Sequence, residues 1–145
     1  MTYSFRAYHS LYQAYSAVFG AADKSLKNQE GIKTAHQIIL FVLYAEDGLL
    51  SSVVAKRAGM SKSRLTSLTD ALETKDLIRK QRGATDARQQ VLYIEPNGRA
   101  LIERTKNWVS EMNTSLLADF DESERKAIEK FLRRAAVMGR FNGDE

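Results

Sequence analysis

The sequence contains no cysteine, which excludes a disulfide framework, a thiolate zinc site, an iron–sulfur cluster, a cysteine nucleophile and a thiol sensor. Proline occurs once, at Pro96, and no Pro/Gly/Ser-rich stretch interrupts the 145 residues, so nothing marks a linker between two domains. Histidine occurs only twice. His9 and His36 fall on different predicted helices with no carboxylate at ligand spacing, so no metal site is expected. No run approaches the roughly 18 apolar residues of a membrane span, and the polar, tyrosine-rich first residues lack the basic-then-apolar order of a signal peptide. A cytoplasmic protein without membrane contact is expected. Missing too are a nucleophile beside a base, paired carboxylates and a phosphate-cradling glycine loop, so the chain does not read as an enzyme and no cofactor is expected.

What is present is the composition of one soluble globular domain, 43% hydrophobic and 28% charged. The net charge of +4 is unevenly spread. Ser51 to Gln90 holds nine basic residues against four acidic ones, whereas the rest of the chain holds 13 basic and 14 acidic. A basic centre between neutral flanks suits a nucleic-acid reader carried on an assembly scaffold.

Tyr8, Leu11, Tyr12, Tyr15, Val18 and Phe19 recur at three- and four-residue steps and predict an amphipathic helix. Asp23 to Lys33 is polar, lacks apolar periodicity and is expected to be a loop. From Thr34 to Ala45 the run Ile38–Leu43 is apolar almost all round and predicts a buried helix, ended by Asp47 and Gly48. Ser51 or Ser52 is expected to cap a short helix through Arg57, with Gly59 as its left-handed stop and Ser61 as N-cap of the next helix, to about Thr74. Leu77–Gln81 and Gln89–Ile94 then read as two short strands, a hairpin with a polar, basic loop. Pro96, Asn97 and Gly98 open a long amphipathic helix to about Ala118 carrying Leu101, Ile102, Trp108, Val109, Met112 and Leu116. Asp121 and Glu124 form a capping-box pair ahead of a last helix with Ile128, Phe131, Leu132, Ala135 and Met138. The acidic residues 119–124 are accounted for by that helix start and its dipole. Gly143 to Glu145 is expected to fray.

Ala55, Gly59, Leu65 and Leu68 meet the packing needs of a helix-turn-helix: close helix approach, a left-handed turn and core leucines on the second helix. A helix of that size fits the major groove, so Lys62, Ser63, Arg64 and Ser67, which point away from the core, are candidates for base and phosphate contacts. The basic loop that follows, ending in Asp86 and Arg88, has the character of a wing that lays an arginine along the adjacent minor groove.

The sequence from Thr34 to Arg104 resembles the MarR family of bacterial transcription regulators. The resemblance rests on Ala55 to Gly59, Ser61, Ser63, Thr66, Leu68, Asp70, Leu72, Glu73, Leu77 and Ile78, on the wing triplet Asp86-Ala87-Arg88, and on Gly98. It implies a mainly α fold with a small β-hairpin wing: a winged helix-turn-helix lobe at about 34–95 and dimerisation helices at about 3–22 and 97–141, all in one domain spanning 1–145. A homodimer is implied, its two lobes gripping successive major grooves of a pseudo-palindromic double-stranded DNA operator as a transcriptional regulator, more often a repressor released by a small ligand. On that pattern Ser61, Lys62, Ser63, Arg64, Thr66 and Ser67 serve the recognition helix and Lys80 and Arg82 meet phosphates. Asp86 braces the wing by pairing with a nearby arginine, and Arg88 supports its tip or enters the minor groove.

Family members commonly bind aromatic or phenolic anions between scaffold and lobe, and Tyr12, Tyr15, His36 and Trp108 lie on elements that could line such a pocket. An aromatic stripe at helical spacing is also what a core or dimer interface requires. The sequence departs from the family pattern at Asp76, where a glycine is usual, which points to a different helix exit. Lys80 replaces a common arginine, and Ser67 a common basic residue. Ile94-Glu95-Pro96 replaces a leucine–threonine pair and leaves Asn97 or Glu95 to cap. The alternative reading, kept open by Ser67 and Asp76, is a winged-helix protein-interaction module or co-regulator with little DNA affinity of its own.

Overall fold

In the computed structural model, which describes residues 6–141, the elements follow in the order α1 (Ala7–Glu30), α2 (Thr34–Ala45), β1 (Leu49–Leu50), α3 (Ser51–Ala58), α4 (Lys62–Thr74), β2 (Ile78–Arg82), β3 (Gln90–Ile94), α5 (Pro96–Leu117) and α6 (Glu122–Phe141). The expected fold, mainly helical with a small sheet, is observed. The expected start of the first helix near residue 3 and the fraying of Gly143 to Glu145 lie outside the described residues.

Most of the segment expected as a loop is helix. α1 continues through Glu30, where Gly31 at φ 71° caps it by donating its N–H to the Lys27 carbonyl. Ala22 and Leu26, four residues apart, are the only buried residues of α1, a stripe too thin to show as periodicity. A carboxylate then fastens this half of the helix to α2. Asp23 Oδ1 accepts hydrogen bonds from both N and Oγ1 of Thr34, each 2.7 Å. Burial pushes the Asp23 carboxyl up, but those two bonds and nearby Lys33 outweigh it and hold it below its ordinary value. Further along, Glu30 takes both Nε and Nη2 of Arg104 on α5, at 2.9 Å each.

The apolar core lies in the lobe. α2 contributes Ile39, Leu40 and Leu43, α3 Val54 and Ala55, α4 Leu65 and Leu72, the sheet Ile78, Leu92 and Ile94, and the first turns of α5 Leu101 and Ile102. These residues explain why α2 reads as apolar on nearly every side. It is the central helix against which the others pack.

The sheet has three strands rather than the two of a hairpin, in the order β1-β3-β2, all antiparallel. β1 has no signature in the sequence, because two leucines carry no alternation. It pairs Leu49 with Leu92, and its Leu50 is the N-cap residue of α3, which has no side-chain cap. Neither Ser51 nor Ser52 caps α3 as expected, since both lie inside the helix; the Ser51 hydroxyl donates to the Gln90 carbonyl at 3.2 Å. Asp47 holds the other end of β3, accepting the Ile94 N–H at 2.9 Å.

α4 leaves through Asp76 at φ 59°, so the helix exit is the left-handed one that a glycine would make and not a different one. Asparagine and aspartate tolerate that region better than other side chains. The chain then reaches Leu77, whose carbonyl accepts the Glu95 N–H at 2.9 Å. Gly98 is buried against the same carbonyl, and a Cβ there would lie 2.3 Å from Leu77 O and 2.8 Å from Ile94 Cγ1. Only glycine lets α5 approach this closely. Glu95 is the N-cap residue of α5 but makes no side-chain cap, and Pro96 occupies the first turn.

At the α5–α6 corner the expected capping box forms, with Glu124 N donating to Asp121 Oδ1 at 2.8 Å and Asp121 N to Glu124 Oε1 at 3.1 Å. Arg125 adds a clasp. Its Nε and Nη2 donate to the Phe120 and Leu117 carbonyls at 2.9 and 2.7 Å, covering the end of α5. Beyond the lobe, apolar side chains stand open: Tyr8, Tyr12 and Tyr15 on α1, Leu116 on α5, and Leu132 and Met138 on α6 are all more than half exposed.

Candidate nucleic-acid interface

The helix-turn-helix is built from α3 and α4. Gly59 at φ 69° turns the chain, and its N–H meets the Lys56 carbonyl while that of Met60 returns to Ala55. Ser61 caps α4 as expected, its Oγ accepting the Arg64 N–H at 3.2 Å. Leu65, Thr69 and Leu72 are buried and Leu68 is partly buried against Ala55 and its neighbours. Lys62, Ser63, Arg64, Thr66 and Ser67 are all exposed. The first half of α4 is therefore a free, polar helix end with open N–H groups and two cations, suited to a phosphate and to base edges.

The wing follows from β2 and β3, which pair from Ile78↔Ile94 to Arg82↔Gln90. Its loop is closed by Gly83 N to the Gln89 carbonyl at 2.8 Å. Asp86 Oδ1 accepts both N and Nε of Arg88, at 2.9 and 3.3 Å, so the arginine that Asp86 meets is its own neighbour two residues on. The Arg88 side chain is 93% exposed. Arg82, exposed at the end of β2, projects from the strand that faces the loop.

Lys80 requires a correction. It was expected to meet phosphate, yet its side chain is only 10% exposed and its ammonium is paired with Asp70 on α4. The Lys80 N–H also donates to Glu73 Oε2 at 2.9 Å. Two carboxylates of α4 thus hold β2, and Lys80 ties the wing to the recognition helix instead of presenting a charge outward. Asp70 and Glu73 are the contributors that sequence reasoning missed in this role. Arg79 is likewise committed to the wing, stacking 4.1 Å over the Tyr93 ring and bridging Glu95 at 3.2 Å.

The four ligand candidates do not converge. Tyr12 and Tyr15 line an open groove of about 810 Å³ between α1 and α6, with Leu11, Phe131, Arg134 and Met138. His36 and Trp108 are not among its lining residues. His36 sits in the first turn of α2, where its Nδ1 accepts the Lys33 N–H at 3.1 Å. Burial, reinforced by Lys33 and Lys75, lowers its pKa and keeps it neutral as an acceptor. Among the described residues no group of three or more metal-ligating side chains comes together, and no helix is long and apolar enough to cross a membrane.

A lobe in which a three-helix unit with a helix-turn-helix carries a β1-β3-β2 sheet and a basic hairpin loop is a winged helix. The MarR family's sequence model matches residues 30–89, from α2 through the wing loop and short of β3. A regulator from Methylorubrum extorquens, the HTH-type transcriptional regulator TtmR, is 30% identical over 83 residues, 57% of this chain and 43% of that protein. The solved DNA complex of Staphylococcus aureus MepR superposes with a TM-score of 0.84 at 24% identity, over 93% of this chain and 99% of that one. Streptomyces coelicolor PcaV, solved with its natural ligand, gives 0.79 at 23% identity, over 94% and 97%. The structural likenesses show the fold, including α1, α5 and α6 outside the segment matched by sequence. Over residues 30–89 the chain is similar to the MarR family, and its fold is that of the winged helix-turn-helix structures of MepR and PcaV.

Proposed function

We propose that this protein is a homodimeric, sequence-specific double-stranded DNA-binding transcriptional regulator that recognises a pseudo-palindromic operator. The observation that carries the reading is the joint exposure of the α4 N-terminal half and of Arg82 and Arg88 on the wing. One element is dimensioned for a major groove, and the other offers arginines to the neighbouring backbone and minor groove. MepR, of the same fold, is solved on DNA, and TtmR bears the name of a transcriptional regulator. The open apolar faces of α1, α5 and α6 support the dimer, because a monomer would leave them in water. In this reading Ser61, Lys62, Ser63, Arg64, Thr66, Ser67, Arg82, Asp86 and Arg88 serve DNA and Lys80 acts by positioning. Residues of about 34–95 form the DNA-binding lobe, and the flanking helices form the scaffold. The protein works in the cytoplasm, without catalysis or cofactor, as a repressor released by a small aromatic or phenolic effector; PcaV of the same fold was solved with its natural ligand.

The test is fluorescence-anisotropy binding to DNA from just upstream of the protein's own coding region, against shuffled DNA, over a salt series. Tight, salt-steep binding with preference for one sequence, by a species that sediments as a dimer, is the expected result. Arg64→Ala is expected to alter sequence preference, and equal losses on specific and random DNA would remove it as a base reader. Salt-insensitive, unselective binding, with no sequence recovered from a random pool, would refute the DNA reading in favour of a protein-interaction module.

A further inference from the structure

The exposed side chains of the α4 N-terminal half differ in what they can offer a base. Lys62 and Arg64 are donors, and the hydroxyls of Ser61 and Ser63 lie 3.4 Å from one another. Thr66 is different. Its Oγ1 donates to the Lys62 carbonyl one turn back, at 3.0 Å, the back-bond that fixes a helical threonine in one rotamer. The hydroxyl hydrogen is therefore spent inside the helix, and a base acceptor cannot receive it. With oxygen turned back onto the helix, the γ-methyl is the group that projects outward on an exposed residue. Among Lys62, Ser63, Arg64, Thr66 and Ser67 it is the one side chain that ends in a methyl. In the major groove one base presents a matching apolar feature, the 5-methyl of thymine.

We propose that Thr66 is a specificity-determining residue whose γ-methyl selects a thymine in each half-site through apolar contact with the base's 5-methyl group. This rests on the DNA-binding reading above. It assigns Thr66 an interaction that needs no hydrogen bond, and it separates Thr66 from Arg64, whose guanidinium selects acceptors on guanine.

The experiment begins with an operator selected from random DNA by the full-length protein. Each thymine is then replaced singly by deoxyuridine, which removes the 5-methyl and leaves every hydrogen-bonding group. One thymine per half-site is expected to lose affinity about fourfold on that change, the weight of one methyl-sized apolar contact. Thr66→Ser, which keeps the back-bond and deletes the methyl in both subunits, is expected to bind the thymine operator about 16-fold more weakly, the weight of two such contacts, and to be indifferent to deoxyuridine at that position. Thr66→Val keeps a methyl without the hydroxyl and is expected to retain both the affinity and the uracil penalty. This variant guards against a mere loss of fold. A uracil penalty that persists undiminished in Thr66→Ser, or an operator with no methyl-sensitive thymine, overturns the proposal while leaving DNA binding intact. Failure to select any preferred sequence overturns the DNA-binding reading itself and the proposal with it.

Discussion

Replacing Gly98 by alanine adds a single methyl at the point where α5 meets the exit of α4. The new Cβ would lie 2.3 Å from the Leu77 carbonyl oxygen and 2.8 Å from Ile94 Cγ1. Both are well inside contact distance, and the nearer obstacle is backbone that already accepts the Glu95 N–H. Overpacking of this kind costs about 1–3 kcal/mol, and displacing the Leu77 carbonyl weakens a hydrogen bond worth about 1 kcal/mol. Against this stands a gain of about 1 kcal/mol, the helix-propensity difference between glycine and alanine. The expected net loss is about 1–3 kcal/mol, which for a chain of this size lowers the melting temperature by several degrees. Urea unfolding followed by Trp108 fluorescence and by circular dichroism measures it, with the midpoint shifting at unchanged slope. Trimming Ile94 should not rescue the variant, since the tighter contact is with main chain. A Gly98→Ala protein as stable as the parent would show that α5 can retreat without penalty and that the close approach is incidental.

Asp76→Gly is expected to stabilise the protein by about 0.5–1 kcal/mol, because it relieves a left-handed backbone at a non-glycine residue; unchanged or lowered stability in the same unfolding assay would refute the strain. Arg82→Ala should weaken binding to all DNA and reduce the salt slope by about two, one for each subunit of the dimer, whereas Lys80→Ala should leave that slope unchanged and destabilise the fold by about 1 kcal/mol, since it strips Asp70 of its partner while the backbone bond to Glu73 stays. A lowered slope in Lys80→Ala would return it to the phosphate-binding set. The Arg104 guanidinium holds the Glu30 carboxyl below its ordinary value of 4.5. A depressed carboxylate contributes stability that is fully present above the unfolded value and is lost as pH falls through the folded one. Glu30→Gln should therefore lose less stability between pH 5 and the acid limit than the parent does, and parallel acid profiles would rule the clamp out.

The sequence made legible what local chemistry decides. Ala55, Gly59 and Leu65 declared the helix-turn-helix, Ser61 its cap, and Asp121 with Glu124 the start of α6, because each partner lies within four residues of the other or repeats with the helix. What stayed hidden depends on partners brought together by folding. The second half of α1 is helix because Asp23 finds Thr34 and because Ala22 and Leu26 are covered, and neither fact is written within the segment. Lys80 reads as one more basic residue until β2 lies along α4 and Asp70 takes its charge. β1 is a strand only because β3 offers it an edge. Asp76 looked like a departure from the family pattern, yet its backbone does what glycine would do there.

The lobe has its own buried core, whereas α1, α5 and α6 leave tyrosines, leucines and methionine open to solvent. With the dimer proposed above, the two parts answer to different variables. Unfolding of the lobe is a first-order event, indifferent to how much protein is present, while docking of the arms is second order and weakens with dilution. Dilution then acts as a selective denaturant of the scaffold, and in that dimer each newly made chain waits for a second before its lobe has a partner at a fixed spacing.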